Sequence, residues 1–140
     1  MLSILIVEDS VDRIDVLSQL YARHKLTVCR DGQSAMQALR DVSFDLIHLD
    51  FDLGAGLDGV DVAMQIRVAC PETLVIIHSE HPSGANEIAE ILPGALQAPI
   101  SILSARNRIS SQLKALLSDS GLKSTERIAS LLRESQQDHV

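Results

Sequence analysis

Three carboxylates follow two apolar stretches that have the length of buried β-strands. Glu8 and Asp9 come directly after Leu2–Val7, and Asp50 ends the stretch Phe44–Asp50. Such short apolar runs, alternating with segments of helical periodicity, are typical of parallel βαβ units. The carboxyl ends of neighbouring parallel strands meet at one edge of a sheet, so we expect these three side chains to converge.

Converging carboxylates repel one another, and a bound cation relieves that repulsion. A few oxygen ligands open to water suit Mg²⁺, which keeps several of its waters and can share a phosphate with the protein. The sequence therefore predicts a magnesium site formed by Glu8, Asp9 and Asp50. Asp9 alone could equally cap a helix, so this prediction depends on the combination of acids at two strand ends.

Two polar residues after the third and fourth predicted strands are further candidates for the same crevice. Ser79 could donate a hydrogen bond to a phosphoryl oxygen, or it could simply cap the loop before Pro82. Asp52 lies two residues beyond Asp50, where it could modulate access to the site or remain an exposed loop acid.

Three histidines lie near these candidates. His81, in a loop beside the predicted acidic crevice, is the histidine with the strongest case for acid–base chemistry. His78 alternates with Ser79 along a strand, so the two side chains are expected on opposite faces. His78 is expected to be a hydrogen-bonded residue under a helix. His48 shares a face with Asp50 and is expected to be a histidine at the edge of the core rather than a ligand.

The alternation of strands and helices predicts an α/β flavodoxin-like fold. It would have a five-stranded parallel sheet of order 2-1-3-4-5, helices on both faces and an extra C-terminal helix. The strands are expected at Leu2–Val7, Leu26–Cys29, Phe44–Asp50, Thr73–His78 and Ala95–Ala98. The helices are expected after Ser10 and Asp58 and at Ser34–Leu39, Ala85–Leu92, Ile100–Leu117 and Lys123–Gln136. Gly54, Gly56 and Gly59 are expected to serve backbone turns.

Composition narrows the classes of partner. The chain has 140 residues with 46% hydrophobic and 2% aromatic content and a net charge of -7, so we expect one aliphatic core and neither nucleic-acid nor anionic-membrane binding. Cys29 and Cys70 are expected to be reduced, and no stretch resembles a signal peptide or a membrane span. These features predict a cytoplasmic protein.

Several motifs together resemble the receiver domain of two-component response regulators. They are ILIVEDS, FDLIHLD, a DG pair opening a helix, VIIHS and Ala98-Pro99, and the resemblance covers about residues 2–118. It implies that Glu8 and Asp9 bind Mg²⁺, that Asp50 is the phosphoacceptor and that Ser79 holds a phosphoryl oxygen. It also implies phosphorelay signalling with a sensor histidine kinase or another signalling protein as the partner.

Two positions depart from that family. Ala98 stands where the family has a lysine before its proline, and Leu96 is nearest to the position of its switch aromatic. Loss of the lysine removes a charge-assisted contact of about 1.5–3 kcal/mol. The resemblance therefore implies an atypical receiver whose phosphorylation at Asp50 is impaired.

A second resemblance is to a receiver-like family predicted to process cyclic phosphates in RNA metabolism. The matching residues are Asp50, Asp52, Leu53, Gly54, His78, Ser79, Pro82 and Gly84, whereas His81 stands where that family usually has Asn and Phe51 where it often has His. This resemblance implies a metal-assisted phosphoesterase in which His78 or His81 moves a proton.

Three functions therefore stay open. We rank an atypical stand-alone receiver first, because its resemblance covers nearly the whole chain, and this favours a signalling domain over an enzyme. The alternatives are a phosphoesterase that processes cyclic phosphates and a pseudo-receiver acting by protein contact alone. We expect a receiver-like domain at 1–120 and an amphipathic helix at 121–140, which could pack on the domain, form a homodimer contact or begin a linker.

Overall fold

Strands and helices alternate along the part of the chain that the structure describes. The structure is a computed structural model and describes residues 2–79 and 81–97, with the side chain of Leu96 excepted. The elements are β1 Ser3–Val7, α1 Val11–Leu20, β2 Lys25–Cys29, α2 Gly32–Asp41, β3 Leu46–Leu49, α3 Gly59–Ala69, β4 Leu74–Ile77, α4 Pro82–Ile91 and β5 Leu96–Gln97.

The strands form one parallel sheet in the order β2-β1-β3-β4-β5. Four strands of four or five residues make up its body, and β5 adds two residues beside β4. The register places Val7 beside Leu49 and Leu49 beside Ile77, so β1, β3 and β4 end together. The expected α/β flavodoxin-like class is confirmed, and β1 and β3 are adjacent at the point where the strand order reverses.

The two faces of the sheet differ in character. Side chains alternate between the faces along each strand. We call the side packed against α2, α3 and α4 the aliphatic face; its strand residues are Leu5, Val7, Ile47, Leu49, Val75 and Ile77. The other side, which α1 covers, we call the polar face, because it carries the buried polar residues Glu8, His48, Asp50 and His78.

Helix starts follow the capping residues in the sequence. Asp58 caps α3 in a capping box with Asp61, in which each side chain accepts a hydrogen bond from the backbone N–H of the other residue. The expected N-cap at Asp58 is confirmed. By contrast, α4 begins at Pro82 rather than at Ala85, because proline has a fixed φ and no N–H and so suits the first helical turn.

Several predictions fall on residues beyond Gln97. Ala98, Pro99 and the helices expected at Ile100–Leu117 and Lys123–Gln136 lie outside the described residues. The division into 1–120 and 121–140 therefore stays a prediction. Within the described part of the chain, no helix is both long enough and apolar enough to cross a membrane, and Cys29 and Cys70 are free thiols.

Candidate metal centre and active site

The three predicted acids meet at the carboxyl edge of the sheet. Glu8, Asp9 and Asp50 each offer one carboxylate oxygen, and these oxygens lie within 4.8 Å of one another. Backbone pairing continues past the strands to hold them: the Glu8 N–H donates to Cys29 O at 3.0 Å and the Asp50 N–H to Val7 O at 3.1 Å. The three carboxylate side chains therefore converge, as the sequence predicted.

Burial sets the electrostatics of this acid cluster. Glu8 and Asp50 are buried, whereas Asp9 is exposed. Burial, reinforced by the neighbouring Asp50, raises the pKa of Glu8 to about 9. Burial also raises the pKa of Asp50. Burial therefore disfavours the charged form of both carboxyl groups as long as no cation is bound.

The cluster fits a divalent cation. Glu8 Oε2 is buried and has no hydrogen-bond partner among the described residues. An unsatisfied buried oxygen costs about 1–3 kcal/mol, and coordination to a hard cation would remove that cost. Three carboxylate oxygens at one water-accessible edge match the ligands that Mg²⁺ or Mn²⁺ takes in proteins.

Arg13 on α1 lies against the same carboxylates. Its Nη1 donates to Glu8 Oε1 at 3.1 Å and lies 3.8 Å from Asp50 Oδ2, and the side chain is 13% exposed. Our sequence analysis missed this residue. The available signal was its position one helical turn after Asp9, because side chains in a helix lean back toward its N-terminus.

A cavity of about 250 Å³ opens above the acids, lined by Asp9, Ser10, Arg13, Asp50, Asp52 and His81. His81 Nε2 lies 3.5 Å from Asp52 Oδ2, and both side chains are more than half exposed. The loops after β3 and β4 thus bring a second polar pair to the mouth of the site. Two residues that sequence analysis named as modulators, Asp52 and His81, are therefore in the cavity together.

The fourth strand presents His78, rather than Ser79, on the face of Asp50. The His78 N–H donates to Leu49 O at 3.1 Å, which continues the β3–β4 register and sets His78 beside Asp50. Ser79 is not among the residues lining the cavity, and its hydroxyl accepts a hydrogen bond from the His81 N–H at 3.0 Å. This contact is the loop cap that was one of the two expectations for Ser79.

A buried polar layer lies under the acids. The hydroxyl of Tyr21, whose pKa is raised by burial, forms a hydrogen bond with His48 Nε2 at 2.6 Å. The ring centroids of His48 and His78 are 5.5 Å apart. Burial lowers the pKa of His78 to about 4, with a smaller contribution from Arg13, and lowers that of His48 well below its usual value. Both rings are thus neutral at neutral pH, and His48 is the interior histidine that the sequence predicted.

The β3–α3 loop needs glycine for two different reasons. Gly54 and Gly56 have φ of 81° and 95°, the left-handed region expected of turn glycines. Gly59 instead starts α3, and a Cβ there would collide with the carbonyl oxygen of Asp50. Gly59 therefore lets α3 approach the end of β3 and fixes the backbone of Asp50.

With this geometry in place, comparison with known proteins is informative. Residues 4–93 match the sequence profile of the cyclic-phosphate processing receiver domain. The chain belongs to that family. Its name corresponds to the second of the two resemblances in the sequence, and a receiver fold underlies both. No curated protein matches the chain.

Solved structures of receiver domains are similar in fold. One is the response regulator TrrA from Thermotoga maritima in complex with Mg²⁺-BeF, with 17% identity, a TM-score of 0.63 and coverage of 79% of this chain and 98% of that one. Another is a CheY-like receiver domain from Methanospirillum hungatei JF-1, with 15% identity, a TM-score of 0.65 and coverage of 82% and 95%. A third is the Mn²⁺-bound response regulator Rcp1, with 20% identity, a TM-score of 0.64 and coverage of 89% and 98%. At these identities the likeness establishes the receiver fold.

Proposed function

We propose that this domain is a metal-assisted phosphoesterase that opens cyclic phosphodiesters. One observation carries the proposal: a histidine–aspartate pair, His81 and Asp52, lines the same cavity as Asp9 and Asp50 of the acid cluster. Phosphoester hydrolysis needs a cation site beside a proton donor, and this cavity offers residues suited to each. Membership of the cyclic-phosphate processing family supports the substrate class.

In the proposed reaction, the oxygen of a water molecule forms a bond to phosphorus and one P–O ester bond of the ring breaks. The products are a phosphomonoester and a hydroxyl group. The leaving oxygen takes a proton from His81, which reacts in its imidazolium form and lies 3.5 Å from Asp52. Asp50, whose carboxylate lines the same cavity, accepts the proton that the water loses.

The acid cluster would hold the divalent cation through Glu8, Asp9 and Asp50. When bound, the cation would polarise a phosphoryl oxygen and offset the negative charge that develops in the transition state.

Phosphorus NMR tests this function. The substrate would be a ribonucleoside whose cyclic phosphate bridges two vicinal hydroxyls, incubated with the protein and Mg²⁺. We expect the cyclic diester signal to be replaced by a monoester signal, and EDTA to prevent the change. His81→Asn should slow turnover about 100-fold, the range of general acid catalysis, and Asp52→Asn should slow it less.

Asp41→Asn is the matched control for Asp52→Asn, because Asp41 is an exposed acid at the end of α2. It should leave turnover unchanged. Turnover that persists at the wild-type rate in His81→Asn would refute the proposed role of the histidine. Absence of any ring opening by the wild-type protein with Mg²⁺ or Mn²⁺ would refute the phosphoesterase.

A second candidate is aspartyl phosphorylation in a phosphorelay, with Asp50 as acceptor and a sensor kinase or another signalling protein as donor. The observation that favours it is the placement of Asp50 beside an acidic pair at the end of β3 in a receiver fold. Ala98, in the position of the family lysine, counts against it. Measuring the intact mass after incubation with Mg²⁺ and an acyl phosphate tests this candidate. A phosphoryl adduct on the wild type that is absent from Asp50→Ala would establish it.

A further inference from the structure

We propose that Arg13 exchanges partners during the working cycle of the site. In the metal-free protein it binds the carboxylates of Glu8 and Asp50, and once a divalent cation holds those carboxylates it binds the phosphate of the substrate. The second half of this inference rests on the proposed function, because it assumes that a phosphate enters the cavity.

The first half follows from where the guanidinium lies. Arg13 Nη1 is 3.1 Å from Glu8 Oε1 and 3.8 Å from Asp50 Oδ2, and these are two of the three carboxylates that could hold a metal. A guanidinium and a divalent cation repel each other strongly at such separations in a partly buried site. Repulsion between the two cations on neighbouring carboxylate oxygens therefore favours movement of the guanidinium away from the acids when the metal binds.

The second half follows from what surrounds the side chain. Arg13 lines the cavity together with Asp9, Asp50 and Asp52, and among the six described lining residues it alone carries a permanent positive charge. A planar guanidinium offers five donors in a geometry that matches two phosphoryl oxygens. The side chain already lines this cavity, so its guanidinium is within the site where a phosphate would bind.

The sequence lacks the lysine that gives response-regulator receivers a positive charge in this site. Response-regulator receivers place a lysine before the proline that Pro99 matches, whereas this chain has Ala98 there. A phosphate bound beside three acids needs a positive charge from the protein in addition to the cation, because carboxylates and phosphate repel. Arg13 can supply that charge from α1.

Mg²⁺ titration by calorimetry tests the first half. Removal of the competing cation in Arg13→Met should make Mg²⁺ bind several-fold more tightly than in the wild type. Arg40→Met is the matched control, because it makes the same change of charge at an exposed position at the end of α2, and it should leave Mg²⁺ affinity unchanged. Unchanged or weaker Mg²⁺ binding in Arg13→Met would identify a static ion pair and overturn the proposal.

Titration of the Mg²⁺-saturated proteins with inorganic phosphate, followed by phosphorus NMR, tests the second half. We expect Arg13→Met to lose at least tenfold in phosphate affinity and Arg13→Lys to lose less, because lysine keeps the charge but not the paired donors. Equal phosphate affinity in Arg13→Met and the wild type, or no phosphate binding by the wild type, would overturn it.

Neither titration requires turnover, so their outcome is separate from that of the hydrolysis assay. If both affinity changes are observed but no cyclic phosphate is opened, the partner exchange of Arg13 is supported and the phosphoesterase function is refuted. If Arg13→Met does not fold, Arg13→Gln removes the same charge with a side chain that can still donate to Glu8, and the same two results are expected.

Discussion

Strands β1, β3 and β4 carry different kinds of side chain on the two faces of the sheet. On the aliphatic face, β1, β3 and β4 present only aliphatic side chains to α2, α3 and α4. On the polar face, one residue further along each strand, Glu8, Asp50 and His78 stand side by side and are buried. Aliphatic burial stabilises a fold, whereas buried acids and unsatisfied imidazoles cost free energy.

This contrast indicates where stability and function are separated in the molecule. Glu8 Oε2, His48 Nδ1 and His78 Nε2 are buried without hydrogen-bond partners within the described residues. Natural proteins keep such costly groups mostly where they serve binding or catalysis. Substitutions on the aliphatic face should therefore mainly lower stability, whereas substitutions of the buried polar residues should mainly lower activity.

The largest effect should come from the aliphatic face. Leu49→Ala truncates a fully buried side chain of β3 and should lower the free energy of unfolding by about 2–5 kcal/mol. Urea unfolding would measure it, with Val68→Ala as the control because Val68 is 80% exposed on α3. A loss below about 1 kcal/mol would contradict the burial of Leu49 in the core.

On the polar face, Asp50→Asn should reduce ring opening by about 100-fold, equivalent to about 2.7 kcal/mol in the barrier, because it removes the proposed base and a metal ligand. The same change should leave the metal-free protein at least as stable as the wild type, since it relieves the crowding of two buried carboxyls. Thermal unfolding beside the rate assay checks both. Marked destabilisation would show that Asp50 supports the fold.

Lowering the pH should reduce the free energy of unfolding through protonation of His78. Its folded pKa of about 4 lies below the ordinary value of 6.5, so the unfolded chain binds more protons between these pH values. The stabilisation is complete above pH 6.5 and is lost as the pH falls toward 4, by at most about 1.4 kcal/mol per pH unit. The raised pKa of Glu8 acts in the opposite direction, so the wild type must be compared with a variant.

His78→Asn is that variant. Urea unfolding of both proteins at pH 7 and pH 5 should show a smaller loss at pH 5 in His78→Asn than in the wild type. An equal loss in the two proteins would mean that His78 titrates normally and is not held neutral by burial.

The smallest effect concerns the layer beneath the acids. Tyr21→Phe removes the hydroxyl that is hydrogen-bonded to His48 Nε2 and leaves that buried nitrogen without this partner. We expect a loss of about 1–2 kcal/mol in unfolding free energy. Mg²⁺ affinity, measured by calorimetry, should not change. A large change in Mg²⁺ affinity would show that this layer positions the acids as well as supporting them.

Much of this architecture was predictable because it depends on local patterns. Apolar runs predicted the strands, and Asp58 predicted the start of α3. The rule that parallel strands end at one edge of a sheet predicted that Glu8 and Asp50 lie close together. The start of α4 was placed too late, because Pro82 was interpreted as a loop residue although proline is favoured in a first helical turn.

The remaining features depend on register and on long-range packing. Whether His78 or Ser79 faces the acids is decided by the pairing of β4 with β3, and a shift of one residue exchanges the two faces. The position of Arg13 one helical turn after Asp9 was a local signal, but its contact with Glu8 also depends on how α1 packs on the sheet. The ranking of a phosphorelay receiver above a cyclic-phosphate processing domain rested on extent of resemblance, and the family match favours the latter for residues 4–93.

A single competition experiment tests the central claim most directly. The protein, Mg²⁺, a ribonucleoside cyclic phosphate and an acyl phosphate would be combined and followed by phosphorus NMR, with Asp50→Asn in parallel. The account predicts that the cyclic diester is converted to monoester over many turnovers, in a manner that depends on Asp50, while the acyl phosphate decays at its spontaneous rate. Asp50-dependent consumption of the acyl phosphate with the cyclic diester left intact would contradict it.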